Sequence, residues 1–214
     1  MAVRDERSQV EAGERRALGV LGSAFNPPHL GHMVLAQEAA AQLGLERVVL
    51  VPTGRAPHKE IPDDPGAEVR LKMVAAAAKP GPFEVERFEV DQARRNGEPS
   101  YTFRTLEALS AGGNEDLVWI MGADAALGLE RWRSPERILE LARVAIADRR
   151  GVARGEVEEV VARLGGEGRG EFVEMPEIGV SSTMVRERVA AGRPIRYLVP
   201  DGVAELIEAR RLYA

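Results

Sequence analysis

The chain alternates short apolar runs with longer segments whose apolar residues recur at helical spacing. The strand-like runs are ALGVL, RVVLVP, FEVERFEV, LVWIMG, VAIAD and EFVEM. The helix-like segments lie near residues 31–43, 66–79, 100–110, 123–130, 135–142 and 155–164, after SST, and over DGVAELIEARRL. This alternation predicts an α/β fold: a Rossmann-like, open, mainly parallel sheet with helices on both faces and a small C-terminal helical portion.

The charged and polar residues divide the chain into a short leader and one longer unit. Residues 1–16 contain no apolar run, and we expect a flexible N-terminal leader there. Residues 17–214 predict a single domain. Two irregular stretches, TGRAPHKEIPDDPG and DQARRNGEPS, each follow a predicted strand. Because open α/β sheets bind ligands beyond the carboxyl ends of their strands, we expect both stretches to border one composite site.

Composition narrows the function classes. The 214 residues include no cysteine, which excludes disulfides and thiolate metal sites. No apolar run approaches the roughly 18 residues of a membrane span, so we expect a cytoplasmic protein without membrane contact. The net charge of −5 argues against general nucleic-acid binding. The sequence leaves homo-oligomer formation open.

The segment GSAFNPPHLGH joins the first predicted strand to the first helix and holds two of the three histidines. Gly22 and Ser23 allow a tight turn, and two consecutive prolines stiffen the entry to the helix. His29 and His32 are three residues apart, so they share one face of the helix start, where phosphate is favoured. The alternatives are a turn with one capping and one packed histidine, or a divalent-metal pair, for which the motif offers no third ligand.

A second loop, VPTGRAPHKE, carries the third histidine. His58 and Lys59 follow a predicted strand, where they are candidates for holding substrate phosphates. The alternative is a solvated basic loop.

A third segment, GVSSTMVRERVAAGRP, begins a helix near the end of the chain. Ser181, Ser182 and Thr183 supply hydroxyl groups that favour an N-cap. Arg186 is expected in the first turn, where its cation opposes the helix dipole unless a polyphosphate binds there. A plain cap with a solvated arginine is the alternative.

Two further segments suggest contacts to the rest of a nucleotide or a flat acceptor. EPSYTFRTLEAL begins a helix whose N–H groups either hold a carboxylate or are simply capped. In LVWIMGADAALGLERWRS, Gly122 ends a strand, and Asp124 is placed to accept hydrogen bonds from sugar hydroxyls. Trp132 is either a stacking platform or a half-buried surface aromatic.

These segments together resemble a known family. GSAFNPPHLGH resembles the G-x-F-x-P-x-H-x-G-H motif of the nucleotidyltransferase superfamily of adenylyl- and cytidylyltransferases, and VSSTMVR resembles its I-S-S-T-x-I-R element. The segments VPTGRAPHK, SYTFRTLEAL, WIMGADAALGLERW and ADRRG are similar to those of bacterial nicotinate mononucleotide adenylyltransferases. They occur in the family's order over about residues 17–213.

The resemblance implies transfer of the adenylyl group of ATP to nicotinate mononucleotide, which forms nicotinate adenine dinucleotide and pyrophosphate in NAD biosynthesis. It also implies Mg²⁺ held by the substrate phosphates and in-line attack without a covalent intermediate. The attacking phosphate is an oxyanion at neutral pH, so the reaction needs alignment and positive charge but no general base.

The resemblance also assigns residues to roles. The catalytic residues would be His29, His32 and Arg186. The ATP site would comprise Gly22, Ser23, Phe25, His29, His32, Gly122, Asp124, Ser181, Ser182, Thr183 and Arg186. The acceptor site would comprise His58, Lys59, Tyr101, Thr102, Trp132 and Arg149. No protein metal ligand is expected.

The chain departs from the G-G-T-F-D-P that is common in the family at three positions of the first motif, Ser23, Ala24 and Asn26. Ala24 and Asn26 stand where the family commonly has Thr and Asp, which affects side-chain contacts but not the backbone turn. Two alternatives remain open: the same fold acting on nicotinamide mononucleotide or phosphopantetheine, and a non-catalytic nucleotide sensor.

Overall fold

Six strands form one sheet in a computed structural model that describes residues 17–57, 60–79, 81–113, 116–148 and 151–214. The strands are β1 (Leu18–Ser23), β2 (Arg47–Pro52), β3 (Phe83–Val85), β4 (Leu117–Gly122), β5 (Ala142–Ala147) and β6 (Gly170–Val173). Their order is β3-β2-β1-β4-β5-β6, and all five pairings between them are parallel. The central strands are almost wholly apolar because a parallel sheet is covered on both faces.

Nine α-helices and one short 3₁₀ helix connect or follow these strands in the described residues. The helices are α1 (Leu30–Leu43), α2 (Ala67–Ala78), α3 (Phe88–Asn96), α4 (Thr102–Ala111), α5 (Ala123–Leu127), α6 (Pro135–Leu141), α7 (Arg154–Arg163), α8 (Ser182–Ala190) and α9 (Asp201–Arg210), with the 3₁₀ helix at Leu129–Arg131. In this described part of the chain, none of the helices has the length and apolar character needed to cross a bilayer.

Successive side chains of each strand point to opposite faces of the sheet, and each face buries a separate cluster. Val20 packs into the cluster that includes Leu106 of α4 and Ile138 of α6. Leu21 packs into the opposite cluster, with Ala36 of α1 and Val74 of α2. The predicted open parallel sheet with helices on both faces is confirmed.

The helices near the end of the chain pack on α2 rather than on the sheet. Val185 of α8 and Ile207 of α9 share a buried cluster with Met73 and Ala77 of α2. This third cluster is the small C-terminal helical portion that the sequence predicts. It brings α8 back towards the turn that precedes α1.

One predicted strand is wrong over part of its length. Of the run FEVERFEV, only residues Phe83–Val85 form a strand, and the second half begins α3. The stretch DQARRNGEPS, predicted as a loop, supplies most of that helix. Acidic residues in the first turn and arginines in the last stabilise α3 through its dipole, and Gly97 ends it in the left-handed conformation. The apolar run outweighed these end signals in the prediction.

The order of the strands creates a crevice between β1 and β4. β1 leads into α1 on one face, whereas β4 leads into α5 on the other. Leu21 of β1 pairs with Ile120 of β4, so the two carboxyl ends lie side by side. In open α/β sheets this reversal is where nucleotides bind.

Candidate functional site

The turn from β1 to α1 lies against the core at the mouth of this crevice. A Cβ atom on Gly22 would lie 2.2 Å from Cη2 of Trp119, so only glycine fits beside that ring. Phe25 is fully buried and has a φ of 49°, and the peptide bond from Asn26 to Pro27 is cis. The turn that the sequence predicts is therefore present, with Phe25 as its internal anchor.

The two histidines of this turn hold each other in place. His29 is the N-cap of α1: its Nδ1 accepts a hydrogen bond from the N–H of Gly31 at 3.1 Å. Nδ1 of His32 accepts a hydrogen bond from the N–H of His29 at 3.2 Å. The ring centroids are 3.9 Å apart. Because each Nδ1 accepts a hydrogen bond, each neutral ring carries its proton on Nε2.

The Nε2 protons make both rings hydrogen-bond donors. Nε2 of His32 donates to Oγ of Ser23 at 3.3 Å. Within the described ranges, Nε2 of His29 has no hydrogen-bond partner. Burial lowers the pKa of His29 from 6.5 to about 4. Burial, and secondarily the neighbouring His29, lowers the pKa of His32 well below 6.5. Both rings are thus neutral donors at pH 7.

The backbone N–H groups at the start of α1 are already bonded, which corrects the expectation that they would be available to phosphate. The N–H groups of His29 and Gly31 bond the two imidazoles, and that of Leu30 donates to the carbonyl oxygen of Leu198 at 3.0 Å. A histidine capping box replaces the open helix end that the motif suggested. Anion binding at this turn therefore depends on side chains.

The start of α8 contacts the turn directly. Ser181 is the N-cap of α8 and accepts a hydrogen bond from the N–H of Met184 at 3.2 Å. Oγ of Ser182 donates to the carbonyl oxygen of Pro27 at 2.8 Å. The structure thus brings together the two motif segments that the sequence separates.

Arg186 is the charged group of this junction. Its side chain is 10% exposed; Nη1 donates to the carbonyl oxygen of Asn26 at 2.9 Å and Nε to the carboxylate of Asp63 at 3.1 Å. Nη2 lies 3.5 Å from Oγ1 of Thr183. The sequence analysis placed Arg186 in the first turn of this helix. That expectation is wrong, because α8 begins at Ser182 and Arg186 therefore lies in its second turn. Its partner Asp63 is 68% exposed, so an incoming phosphate can displace this carboxylate from the guanidinium of Arg186.

The sequence analysis did not single out Arg70, whose side chain forms hydrogen bonds with the backbone just beyond the ends of β1 and β2. Its side chain has no solvent exposure, and Nη1 donates to the carbonyl oxygens of Ala24 at 2.8 Å and Thr53 at 2.6 Å. Nε donates to Asp64 at 2.8 Å. Arginine in the interior of a helix gives no sign of such a role in the sequence.

Glu89 is a second missed residue and supports the neighbouring loops. Its buried carboxylate accepts a hydrogen bond from Oγ1 of Thr105 at 2.7 Å, and Oγ of the neighbouring Ser100 accepts one from the N–H of Gly54 at 3.0 Å. Burial raises the pKa of Glu89, and its polar neighbours Thr105, Ser100 and Gly54 partly oppose the rise. A Cβ on Gly54 would lie 2.0 Å from the carbonyl oxygen of Glu89, so the loop after β2 sits tightly on α3.

The predicted acceptor residues Tyr101 and Thr102 lie at the start of α4, beside this loop. Tyr101 is the N-cap position but makes no capping hydrogen bond with its side chain, and Thr102 is the first helical residue. The N–H of Ser100 donates to the carbonyl oxygen of Arg55 at 2.8 Å, which ties the loop after β2 to the start of α4. A cavity of about 510 Å³ opens beside this loop, lined by Gly54, Arg55, Ala56, Glu60, Ile61 and Asp64.

The remaining predicted residues follow β4. Gly122 ends the strand, and Asp124 is the second residue of α5, exposed at the crevice between β1 and β4. Trp132 ends the 3₁₀ helix and contacts Trp119 edge to face, with ring centroids 6.4 Å apart. Trp132 is half-buried, so it can be either the stacking platform or the surface aromatic residue that the sequence analysis considered. His58, Lys59 and Arg149 lie outside the described residues.

This arrangement can bind a polyphosphate and align it through its donors, and with no cysteine in the chain it contains no thiolate. The described part of the chain contains no group of three or more His, Asp or Glu side chains able to hold a metal ion. It does contain a pair of neutral imidazole donors, a nearly buried guanidinium and several hydroxyl groups, all close to the carboxyl end of β1. Such donors suit electrostatic stabilisation of developing negative charge.

Comparison with known proteins agrees with this geometry. The cytidylyltransferase-like family model matches residues 20–188. A relative named "Probable nicotinate-nucleotide adenylyltransferase", from Roseiflexus sp. (strain RS-1), is 43% identical over 199 residues, covering 92% of this chain and 97% of the relative. A relative of the same name from Rubrobacter xylanophilus is 39% identical over 199 residues, covering 92% and 91%.

A solved structure supports the fold independently of sequence. Plasmodium falciparum nicotinic acid mononucleotide adenylyltransferase, complexed with APC, superposes with a TM-score of 0.72 at 13% identity, over 92% of this chain and 97% of that one. With a family match over most of its length and a 43% identical relative covered almost end to end, the chain belongs to the cytidylyltransferase-like family, among the nicotinate-nucleotide adenylyltransferases.

Proposed function

We propose that this protein transfers the adenylyl group of ATP to nicotinate mononucleotide, with the residues of the β1 turn and of α8 aligning the triphosphate. A phosphate oxygen of the mononucleotide attacks the α-phosphorus of ATP. A new P–O bond forms as the bond from that phosphorus to the β-phosphate oxygen breaks. The products are nicotinate adenine dinucleotide, the product of this step of NAD biosynthesis, and pyrophosphate.

The observation that carries the proposal is the junction of the two motif segments. Arg186 donates to the carbonyl oxygen of Asn26, 160 positions earlier in the chain, and Ser182 donates to that of Pro27. The junction lies beyond the carboxyl ends of β1 and β4, where the helices that follow these two strands lie on opposite faces of the sheet. A site with a guanidinium and two imidazoles at this point is suited to a nucleotide triphosphate.

His29 and His32 act as neutral donors through Nε2 in this proposal. A neutral imidazole donates to a phosphate oxygen without first losing the hydration of a cation, and a bound phosphate then raises its pKa. As pyrophosphate forms, its growing negative charge strengthens both hydrogen bonds. The two rings therefore bind the transition state more strongly than they bind ATP itself.

Arg186, with Ser181, Ser182 and Thr183 beside it, is assigned to the β- and γ-phosphates. Its pair with exposed Asp63 supports this role, since phosphate can replace that carboxylate as the partner of the guanidinium. Gly22, Ser23 and Phe25 shape the turn that faces the phosphates. These assignments rest on position and chemistry.

The nucleoside and the acceptor are assigned to the neighbouring loops. Gly122 and Asp124, at the end of β4, are proposed to contact the ribose of ATP. Tyr101 and Thr102 are proposed to bind the nicotinate carboxylate and Trp132 to stack on the pyridine ring. His58, Lys59 and Arg149 are assigned to the mononucleotide phosphate by the family resemblance alone.

Nucleotidyltransferases generally use a divalent metal ion. We assign Mg²⁺ to the ATP complex, where phosphate oxygens supply its ligands. When bound, it neutralises charge on the departing pyrophosphate. The protein itself is proposed to act in the cytoplasm on small anions, which would meet local positive charge at the site despite the net charge of −5.

The test is pyrophosphate release from ATP, MgCl₂ and nicotinate mononucleotide, with chromatographic detection of the dinucleotide. We expect turnover by the wild-type protein and a loss of about 100-fold or more in His32→Ala, in line with the removal of a transition-state donor. Thermal denaturation of the variant separates this loss from unfolding. Wild-type release no higher than that of the folded variant would refute the proposal.

A comparison of several acceptors identifies the one that the enzyme prefers. Nicotinate mononucleotide, nicotinamide mononucleotide and phosphopantetheine are compared at equal concentration, and we expect the highest kcat/KM for the first. A preference for either of the others would reassign the acceptor. Tight ATP binding without turnover of any acceptor would identify a nucleotide sensor instead.

A further inference from the structure

We propose that Tyr213, three residues beyond α9, is a positioning residue for the phosphate-binding turn, and that it acts through the side chain of Asn26. The inference rests on the proposed function, because it concerns how that turn is held during adenylyl transfer. Tyr213 belongs to neither motif and is distant from both histidines in sequence. Its hydroxyl nevertheless reaches the residue that separates Phe25 from the prolines.

The contact is a chain of two hydrogen bonds through one buried amide. The hydroxyl of Tyr213 donates to Oδ1 of Asn26 at 2.7 Å, and Nδ2 of Asn26 donates to the carbonyl oxygen of Pro62 at 2.6 Å. Asn26 is only 2% exposed, so water does not readily replace either partner. The amide is oriented because one side meets a donor and the other an acceptor.

This arrangement explains why asparagine suits position 26 in this chain. The side chain must accept from Tyr213 and also donate to Pro62. A carboxylate can accept from the tyrosine, but it has no proton to offer the carbonyl of Pro62, and two oxygens at that distance repel each other. Asn26 and Tyr213 are therefore a matched pair, and the departure from the family's usual Asp has a structural partner.

The amide lies between the two segments that hold Arg186. The backbone carbonyl of Asn26 accepts from Nη1 of Arg186, and Pro62 directly precedes Asp63, which accepts from Nε of the same guanidinium. Loss of the Tyr213 hydroxyl would leave Oδ1 of Asn26 buried without a donor. The turn and the 62–63 segment would then shift relative to each other, and Arg186 with them.

The backbone near Tyr213 is shaped to bring this ring to Asn26. Arg211 has a φ of 52° and Tyr213 a φ of 64°, a conformation that side-chain-bearing residues rarely adopt. Between them, the N–H of Leu212 bonds to the carbonyl oxygen of Ile207 at 3.0 Å, which turns the chain back. Non-glycine residues stay in such conformations where surrounding contacts hold them, as functional sites often require.

The phenol remains a donor across the working range of pH. Burial is the main cause that raises the pKa of Tyr213 above its usual value of 10. Asp63 and Asp64 add to the rise, whereas Arg70 and Arg186 oppose it. The hydroxyl therefore keeps its proton, and the hydrogen bond to Asn26 does not switch near neutrality.

The first test is Tyr213→Phe, which removes one oxygen and keeps the packed ring. We expect kcat for dinucleotide formation to fall about 3- to 10-fold, as for the loss of one hydrogen bond. The KM for nicotinate mononucleotide should not change, because Arg70 and Glu89 hold the acceptor loops. The matched control is Tyr197→Phe at a residue 79% exposed, which should leave kcat unchanged.

The second test asks whether Tyr213 acts through Asn26. In an Asn26→Ala background, Tyr213→Phe should have almost no further effect on kcat. A full effect in that background would overturn the inference. If Asn26→Ala does not fold, the single variant decides: a lower melting temperature with unchanged kcat, measured where the variant is folded, assigns Tyr213 a purely structural role and also overturns it. An inactive wild-type protein would instead reject the proposed function.

Discussion

Ser182 donates a hydrogen bond of 2.8 Å to the carbonyl oxygen of Pro27, 155 positions earlier in the chain. The hydroxyl that the family resemblance assigns to ATP thus also holds α8 against the turn before α1. This contact aligns the two segments that carry the proposed phosphate donors. Such preorganisation lowers the cost of arranging donors during the reaction.

Ser182→Ala should therefore reduce activity more than it reduces stability. The variant loses one hydrogen bond to a carbonyl group and, in the proposal, one phosphate donor. We expect kcat/KM for ATP to fall about 10-fold or more, with a loss of only about 1 kcal/mol in the free energy of unfolding. Steady-state kinetics and urea denaturation measure the two effects. Ser110→Ala, at the exposed end of α4, is the control and should change neither.

The lowered pKa of His29 predicts a loss of stability in acid. The imidazole has a pKa of 6.5 ordinarily and about 4 in the fold. Between these values the unfolded chain binds more protons, so the free energy of unfolding falls as pH falls from 6.5 to 4. The loss is at most about 1.4 kcal/mol per pH unit for one such group.

His29→Asn tests this source of the loss, because asparagine also caps helices but does not titrate. We expect the melting temperature of the variant to fall less than that of the wild type between pH 7 and pH 5. His32 remains in both proteins and continues to contribute, so the slope should decrease but not vanish. Identical slopes would show that His29 is not the titrating group.

Gly22→Ala should destabilise the fold, because the added methyl group meets Trp119 at 2.2 Å. Overpacking of this kind costs about 1 to 3 kcal/mol, and relief of the clash would displace the end of β1. Chemical denaturation gives the change in the free energy of unfolding. Gly155→Ala in α7 is the matched control: its added Cβ meets no atom within 4 Å, so it should be neutral or stabilising.

Glu89→Gln should weaken the acceptor side of the site. The carboxylate accepts a hydrogen bond from Thr105 and lies beside Ser100 and Gly54, which favour its charged form, whereas the amide turns an NH₂ group towards some of these donors. We expect a loss of about 1 to 3 kcal/mol in stability and a higher KM for nicotinate mononucleotide, with the KM for ATP unchanged.

The exposed pair of Glu84 with Arg47 supplies the control for this substitution. Glu84→Gln removes the same charge at the surface, where an ion pair contributes about 0 to 1 kcal/mol. It should alter neither KM. An equal rise in both KM values for Glu89→Gln would contradict a role confined to the acceptor loops.

Removal of Mg²⁺ by a chelator should abolish activity without changing stability. If Mg²⁺ enters with ATP, EDTA abolishes dinucleotide formation and added MgCl₂ restores it. The melting temperature of the nucleotide-free protein should be the same with and without EDTA, because no ion is then held by the chain alone. A melting temperature lowered by EDTA would instead indicate an ion bound by protein ligands.

Much of the fold, and the place where the candidate site residues come together, could be predicted from the sequence because their signals are local. The apolar runs of β1, β2 and β4 and the motif around His29 and His32 are each contained in a few consecutive residues. Their order along the chain determines which strand ends meet. The beginning of α3 is predicted wrongly as a strand because Phe88 and Val90 alternate with Glu89, as in a half-buried strand, and Glu89 alone does not distinguish the two structures.

The supporting residues could not be predicted because their partners are distant in sequence. Arg70 bonds carbonyl groups 46 and 17 positions away, and Tyr213 bonds an amide 187 positions away. Backbone carbonyls carry no residue-specific signal, so neither arginine nor tyrosine looks unusual in its own segment. The histidine capping box was hidden for a related reason, since the sequence shows the two rings but not which nitrogen accepts.

The paired imidazoles of His29 and His32 also keep the crevice free of repulsion between cations. Burial lowers the pKa of both rings, so two imidazoles whose centroids lie 3.9 Å apart stay uncharged near neutrality. Two uncharged rings can pack together and still present their Nε2 protons. In the proposed reaction they donate to phosphate without taking up a proton, so ATP can bind and pyrophosphate can leave with no change in the charge of the pair.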